Sequence, residues 1–364
     1  GQVPSSITLG KPSNTNGINV DSALTANGPI TLYGGDITVS NSLTSTLANA
    51  PILAKASASV YLNSASSDIT TEGGNVILWS NFSTAGGQTT GAGTRYVRLA
   101  DGVNIVSKGG KIVLAGGADD GSNGGVAGDG IPDGFAYRGD DGQGGVVLNT
   151  VTGGTGIVLN SANGDIIVRG QTQGQLYAPG VVSQDKFLID SGTGRIFITG
   201  KSTSAEGINF SRAASPNFVI QSAYTGGTAI TIEGTTNSTA GAAMSGLALS
   251  TLYGGTMTGN VLIQSTGVNG GIVMSGYSTG NARGFQTGTG AAITGNYQIL
   301  SNAGDIVLTG SGLDSTYKNG LTLQGYGYIG ARKDTTAING VTPSCFAWFT
   351  AAPHSFTSNC TTAA

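Results

Sequence analysis

Short runs of alternating apolar and polar residues recur along the whole chain, each entered through a turn and a glycine. The clearest is Ser161-Ala162-Asn163-Gly164-Asp165-Ile166-Ile167-Val168-Arg169-Gly170, which returns as Ser301-Asn302-Ala303-Gly304-Asp305-Ile306-Val307-Leu308-Thr309-Gly310. Looser copies lie at 26–35, 71–80, 107–116, 191–200 and 267–276. The shared grammar is a turn, a glycine, one variable residue, then apolar-x-apolar, often with a closing glycine. Alternation over four or five residues predicts a strand with one face buried. Weaker strands of the same kind lie between the copies, as at Val97 and Leu99, Val103 and Ile105, Val146 and Leu148, and Ile157 and Leu159. Leu43 to Ala56 is the first stretch that could keep a helical period, and Pro51 interrupts it.

The anchor glycines are Gly28, Gly74, Gly110, Gly164, Gly194, Gly270 and Gly304, separated by 46, 36, 54, 30, 76 and 34 residues. Most separations fall between 30 and 46, the 76 approximates two steps, and the 54 contains an insertion. A propeller would show a stricter period with aromatic blade markers, and a sandwich would not need such similar strands. An all-β parallel β-helix (β-solenoid) is expected, with like residues stacked from coil to coil. Coils of about 20 to 25 residues would make a rod roughly 70 Å long. Residues 1–27 read as an amino-terminal cap or docking segment and 28–330 as the solenoid, with an acidic glycine-rich insertion at 116–144. Residues 331–364 read as a carboxyl-terminal cap or docking segment.

Composition narrows the class. Of 364 residues 63 are glycine and only 10 % are charged, so the chain lacks the charge of a disordered protein. Glycine has no three-residue period, which excludes collagen. No apolar run is long enough to span a membrane as a helix. A net charge of −3 argues against a nucleic-acid partner. The two cysteines, Cys345 and Cys360, suggest a disulfide in an oxidising compartment. The chain opens on Gly1-Gln2-Val3-Pro4 rather than methionine, as a mature product without its leader would. The expected location is extracellular or at the cell surface.

The runs GGNVILWS, SKGGKIVLAGG, SANGDIIVRG and SNAGDIVLTG resemble the repeats of large secreted bacterial adhesins of the filamentous-haemagglutinin type. The resemblance covers roughly Gly28 to Gly330. It implies a right-handed parallel β-helix and an exported structural or adhesive rod, with surface glycans or other cells as partners. The Asn-Pro-Asn turns of that family's secretion domain do not occur; Ser215-Pro216-Asn217 is the nearest.

Candidate chemistry is sparse. Asp119, Asp120, Asp129, Asp133, Asp140 and Asp141 lie close together in the insertion, six of the 19 acids, offset only by Arg138. No cofactor is expected except calcium, which takes six to eight oxygens from carboxylates, carbonyls and water that a glycine-rich loop of this kind can supply. Gly128 to Gly134 resembles a piece of the thrombospondin type 3 calcium repeats. The plainer expectation is an acidic solvated loop bulging from the rod. A polysaccharide lyase or hydrolase is the alternative function, because Gly139-Asp140-Asp141 resembles one polygalacturonase motif. The rest of that signature fails: the sole histidine, His354, lies in the tail, and Arg332-Lys333 is the only adjacent basic pair. The chain is therefore read as non-catalytic. Threonines such as Thr228, Thr231 and Thr322 are read as ordinary strand residues. The segment 335–364 holds both cysteines, Trp348, Phe346, Phe349 and Phe356 without one Asp, Glu, Lys or Arg. A Cys345–Cys360 disulfide would close a loop of about 16 residues, worth about 3 kcal/mol. Two uncharged ends on a solenoid favour head-to-tail self-assembly into a fibre.

Overall fold

The computed structural model describes residues 2–82, 94–138, 144–149, 153–174, 178–210, 217–239, 244–249, 256–257, 259–287, 292–293, 296–312, 320–323, 326–331, 345–349 and 357–360. The chain is an all-β solenoid. Three sheets run its length, and from Ile7 to Ala331 successive strands along each are joined in parallel; the last two strands of the third sheet, Cys345–Phe349 and Thr357–Cys360, pair antiparallel. The first three strands, Ile7–Gly10, Ile18–Val20 and Leu24–Ala26, each found one sheet. Chain order then repeats first, second, third sheet, and ten such rungs are present among the described residues. The stretch 1–27 thus contains rung one.

Register is set by the aliphatic columns. Ile7, Ile30, Ile52, Val76, Ile112, Ile166, Ile196, Ile230, Ile272 and Ile306 stack in the first sheet. A one-residue slip would turn a whole strand's apolar set outward, so burial fixes the pairing. Ile112, Leu114, Ile166 and Val168 are buried inside the coil, as the alternation predicts. Ile306 and Leu308, in rung ten, pack on the core but stay partly open because no rung follows on the first sheet among the described residues. Phe187 of rung six stacks on Phe218 of rung seven with ring centroids 4.6 Å apart, and Phe210 of rung seven lies against both.

The period departs from the expectation in two ways. Gly28 and Gly74 are two rungs apart, because Ile30, Ile52 and Val76 are successive register partners. Rungs of 22 to 24 residues occur only at the amino end; later ones are longer. Ten rungs at strand spacing make a rod of about 48 Å rather than 70 Å.

Two sequence signals acquire a physical meaning here. Ser107, Ser161, Ser191 and Ser301, with Thr71, sit buried at the corner between third and first sheets. Each hydroxyl donates to the carbonyl of the anchor glycine three residues on, at 2.5–2.7 Å. The corner thereby satisfies a carbonyl that a tight turn would otherwise bury unpaired. The anchor glycines stack on one another: a Cβ at Gly164 would lie 2.1 Å from the Gly110 carbonyl oxygen, and one at Gly194 the same distance from that of Gly164.

The closing glycines form a second column. Gly170, Gly200, Gly234, Gly276 and Gly310 are in register along the first sheet. They face Gly180, Gly207, Gly246, Gly284 and Gly320, whose carbonyl oxygens would lie 1.9–2.2 Å from an added Cβ. Backbone packs directly on backbone and pinches each later coil into two lobes. The smaller lobe is lined by Thr172, Ser202, Thr236 and Ser278, with Ala178 and Ala205.

Candidate functional site

The acidic insertion leaves the rod in the middle of a strand. Ile112–Gly116 ends at Gly116, which bridges to Gly134, and Ala136–Arg138 then completes the strand beside Gly170–Thr172. The intervening excursion folds back over the outer face of the first sheet at rungs four and five. Its Ile131 packs on Ile77, Trp79, Val113 and Ala115, residues on the outward positions of their strands. The Trp79 indole N–H donates to the Gly117 carbonyl at 2.9 Å. The Lys55 ammonium lies over the Trp79 and Phe82 rings at 3.6 and 3.8 Å. Burial lowers the Lys55 pKa, and the charge of Asp119 partly opposes that shift.

The aspartates organise this excursion from within. Asp119 accepts the Gly128 and Gly130 amides at 2.6 and 2.9 Å, one on each oxygen. Asp129 accepts the Ile131 amide. Asp120 is exposed, and hydrogen bonds from the Ser122 hydroxyl and amide lower its carboxyl pKa. Asp133 is 1 % exposed and accepts the Gly121 amide at 2.7 Å. Burial raises its carboxyl pKa, against that amide and the Arg169 charge. Gly125 has no alternative, since a Cβ there would overlap the Asp133 carboxylate.

Arg169 of rung six ties the excursion down. Its guanidinium donates to the carbonyls of Pro132 and Asn123, both at 3.1 Å, and lies 4.0 Å from the Asp133 carboxylate. Asn123 in turn donates to the Asp133 carbonyl. Sequence reading did not single out Arg169 as a site residue. Its only signal is a basic residue at an outward position of a strand otherwise lined by aliphatics.

The six aspartates are thus divided. Asp119, Asp120, Asp129 and Asp133 share the excursion, where each accepts at least one backbone amide, and no three metal-ligating side chains converge among the described residues. Asp140, Asp141, His354, Arg332 and Lys333 lie outside the described residues. The described arrangement can clamp a loop. EDTA is expected to leave the melting temperature and the proteolysis of residues 117–135 unchanged. A fall of several degrees, restored by calcium alone, would place a cation there instead. No protein family, no curated protein and no solved structure matches this chain.

Proposed function

We propose that the chain is a non-catalytic, exported structural rod of right-handed coil that stacks head to tail into a fibre, sheath or surface layer. The observation that carries this reading is the state of the strand edges. At the amino end the strands Ile7–Gly10, Ile18–Val20 and Leu24–Ala26 each have a partner on one side only among the described residues. The Ile7 amide donates toward rung two, to the Pro29 carbonyl at 3.0 Å. In a parallel ladder alternate residues face opposite neighbours, so Thr8 turns its N–H and C=O to the open side. At the other end the Ile272 amide donates to the Asp305 carbonyl, which leaves Ile306 and Leu308 turned outward by the same alternation. Ile7, Leu9, Ile18 and Leu24 at one end, and Ile306, Leu308, Leu323 and Ile329 at the other, are only partly buried. The edges without a further partner among the described residues, on all three sheets at the amino end and on the first and second sheets at the other, lie over a half-open apolar column and are a template for another rung.

The right hand follows from the strong preference of parallel crossovers for that sense. The adhesin-type resemblance supports an adhesive outer surface directed at glycans or other cells. The extracellular setting rests on the cysteines. The antiparallel hairpin register sets Cys345 opposite Cys360. Opposed residues of such a pair have Cα atoms about 4.5–5.5 Å apart, within the range a disulfide spans. Thiol labelling under denaturing, non-reducing conditions should find no free cysteine; two labelled thiols per chain would remove the bond and the compartment argument with it.

Thr8→Pro tests the fibre. Proline deletes the outward amide and leaves the Ile7 and Leu9 pairing to rung two intact. The parent should form filaments at high concentration by electron microscopy, and the variant should stay monomeric with an unchanged strand spectrum. A parent that scatters light as a monomer at every concentration would end the fibre reading. Cleavage of polyuronates by the purified chain would end the non-catalytic one.

A further inference from the structure

The three sheets do not end alike. Beyond Tyr326–Ala331 the third sheet gains Cys345–Phe349 and Thr357–Cys360, both antiparallel to their neighbours. This hairpin occupies the edge that an eleventh rung would need and stands about 10 Å beyond rung ten. The first and second sheets end on Ile306–Ser311 and Leu321–Thr322, with no further strand among the described residues. At the amino end the described residues leave one strand per sheet without a further partner, all three in the same rung.

We infer that the carboxyl-terminal hairpin is a gate on the joint between copies. A second copy's amino end docks flush on the first and second sheets only when the hairpin leaves the third sheet's edge. The inference rests on the fibre reading above. The joint continues the interface already present between rungs. Ile7 would fall in the column below Ile306 and Leu9 below Leu308, as Ile306 and Leu308 fall below Ile272 and Met274. The outward Ile306 amide would meet the Ser6 carbonyl, and the Thr8 amide the Ile306 carbonyl. That repeats the pattern in which the Ile7 amide meets the Pro29 carbonyl. On the third sheet, the edge of Tyr326–Ala331 cannot hold the antiparallel hairpin and accept a parallel Leu24–Ala26 at once. A two-stranded hairpin is marginal by itself, so a docking rod can compete for that edge. A Cys345–Cys360 bond lies within the hairpin and would keep it intact whether seated or displaced.

The test compares the parent 364-residue chain with Ala347→Pro, by assembly rate in light scattering and by axial repeat in electron micrographs. Ala347 lies opposite Ile329 on one side and Ser358 on the other, so proline there unseats the hairpin without touching the ten rungs. Ala347→Pro should assemble at least tenfold faster, and filaments of both chains should repeat at about 48 Å, ten strand spacings. Filaments from Ala347→Pro alone would also support the gate. Equal rates, or a parent repeat near 58 Å with the hairpin built into the joint, would overturn the gate and leave the fibre standing. The parent repeat decides the matter even if the variant misfolds. Filaments from neither folded chain would bring down the fibre reading and the gate together.

Discussion

Gly200→Ala is expected to lower the melting temperature of this 364-residue chain by roughly 4 °C, although it adds one methyl group to a residue of ordinary φ. A Cβ at Gly200 would lie 2.1 Å from the Gly207 carbonyl oxygen and 2.5 Å from Ile208 Cγ1. Overpacking a core costs about 1–3 kcal/mol when side chains can shift. Here the obstacle is backbone of the same rung, held by parallel pairing to the rungs on either side. The cost therefore falls at or above the upper end, about 3 kcal/mol. Gly128→Ala is the control. Gly128 has a positive φ of 77° but nothing within 4 Å of an added Cβ, so only backbone strain of about 1 kcal/mol applies, in a loop. Equal effects of the two substitutions, measured by thermal unfolding, would show that the glycine columns are not close-packed.

Arg169→Leu is expected to open the excursion while the rod stays folded. The substitution leaves the Pro132 and Asn123 carbonyls and the buried Asp133 carboxylate without their cation. Breaking a buried ion pair from one side costs about 3–5 kcal/mol. The loss falls on one segment, because the ten rungs do not depend on that guanidinium, so it shows as local opening. Proteolytic cleavage within residues 117–135 should rise about a hundredfold, with the strand spectrum unchanged. Arg169→Lys should rescue only in part, since one ammonium cannot reproduce the planar fork. Unaltered cleavage would show that Ile131 packing alone holds the loop.

The same brace carries a pH signature. Burial raises the Asp133 carboxyl pKa above its ordinary value, so the folded loop favours the protonated acid. The stability that Asp133 contributes is complete below the ordinary aspartate range and is lost as pH rises through the raised value. Amide exchange of the Gly121 N–H should therefore need a less costly opening at neutral pH than near pH 4. In Arg169→Leu the trend should steepen, because the Arg169 charge holds the raised pKa down.

The sequence by itself determined the element type, the turn positions and the parallel stacking. Alternation such as Ile166-Ile167-Val168 and a glycine at each corner are local facts, and like strands repeated many times can bury their apolar faces only by stacking. It also marked the excursion, because six acids in a glycine-rich run cannot enter an aliphatic coil. The tertiary structure decided what depends on neighbours far along the chain. It counted Gly28 to Gly74 as two rungs, since Pro51 starts the intervening rung without an anchor glycine at position 50. It turned Ser161 and its equivalents into corner braces, and it made the closing glycines contact surfaces between strands that no spacing rule relates. It aimed Asp119 and Asp133 at backbone amides and brought Arg169 to Pro132 and Asn123 across 37 and 46 residues. The physical reason is range. Period and turn chemistry act over a few residues, whereas register, close approach and the partner of a buried charge are set only when one rung is laid on the next.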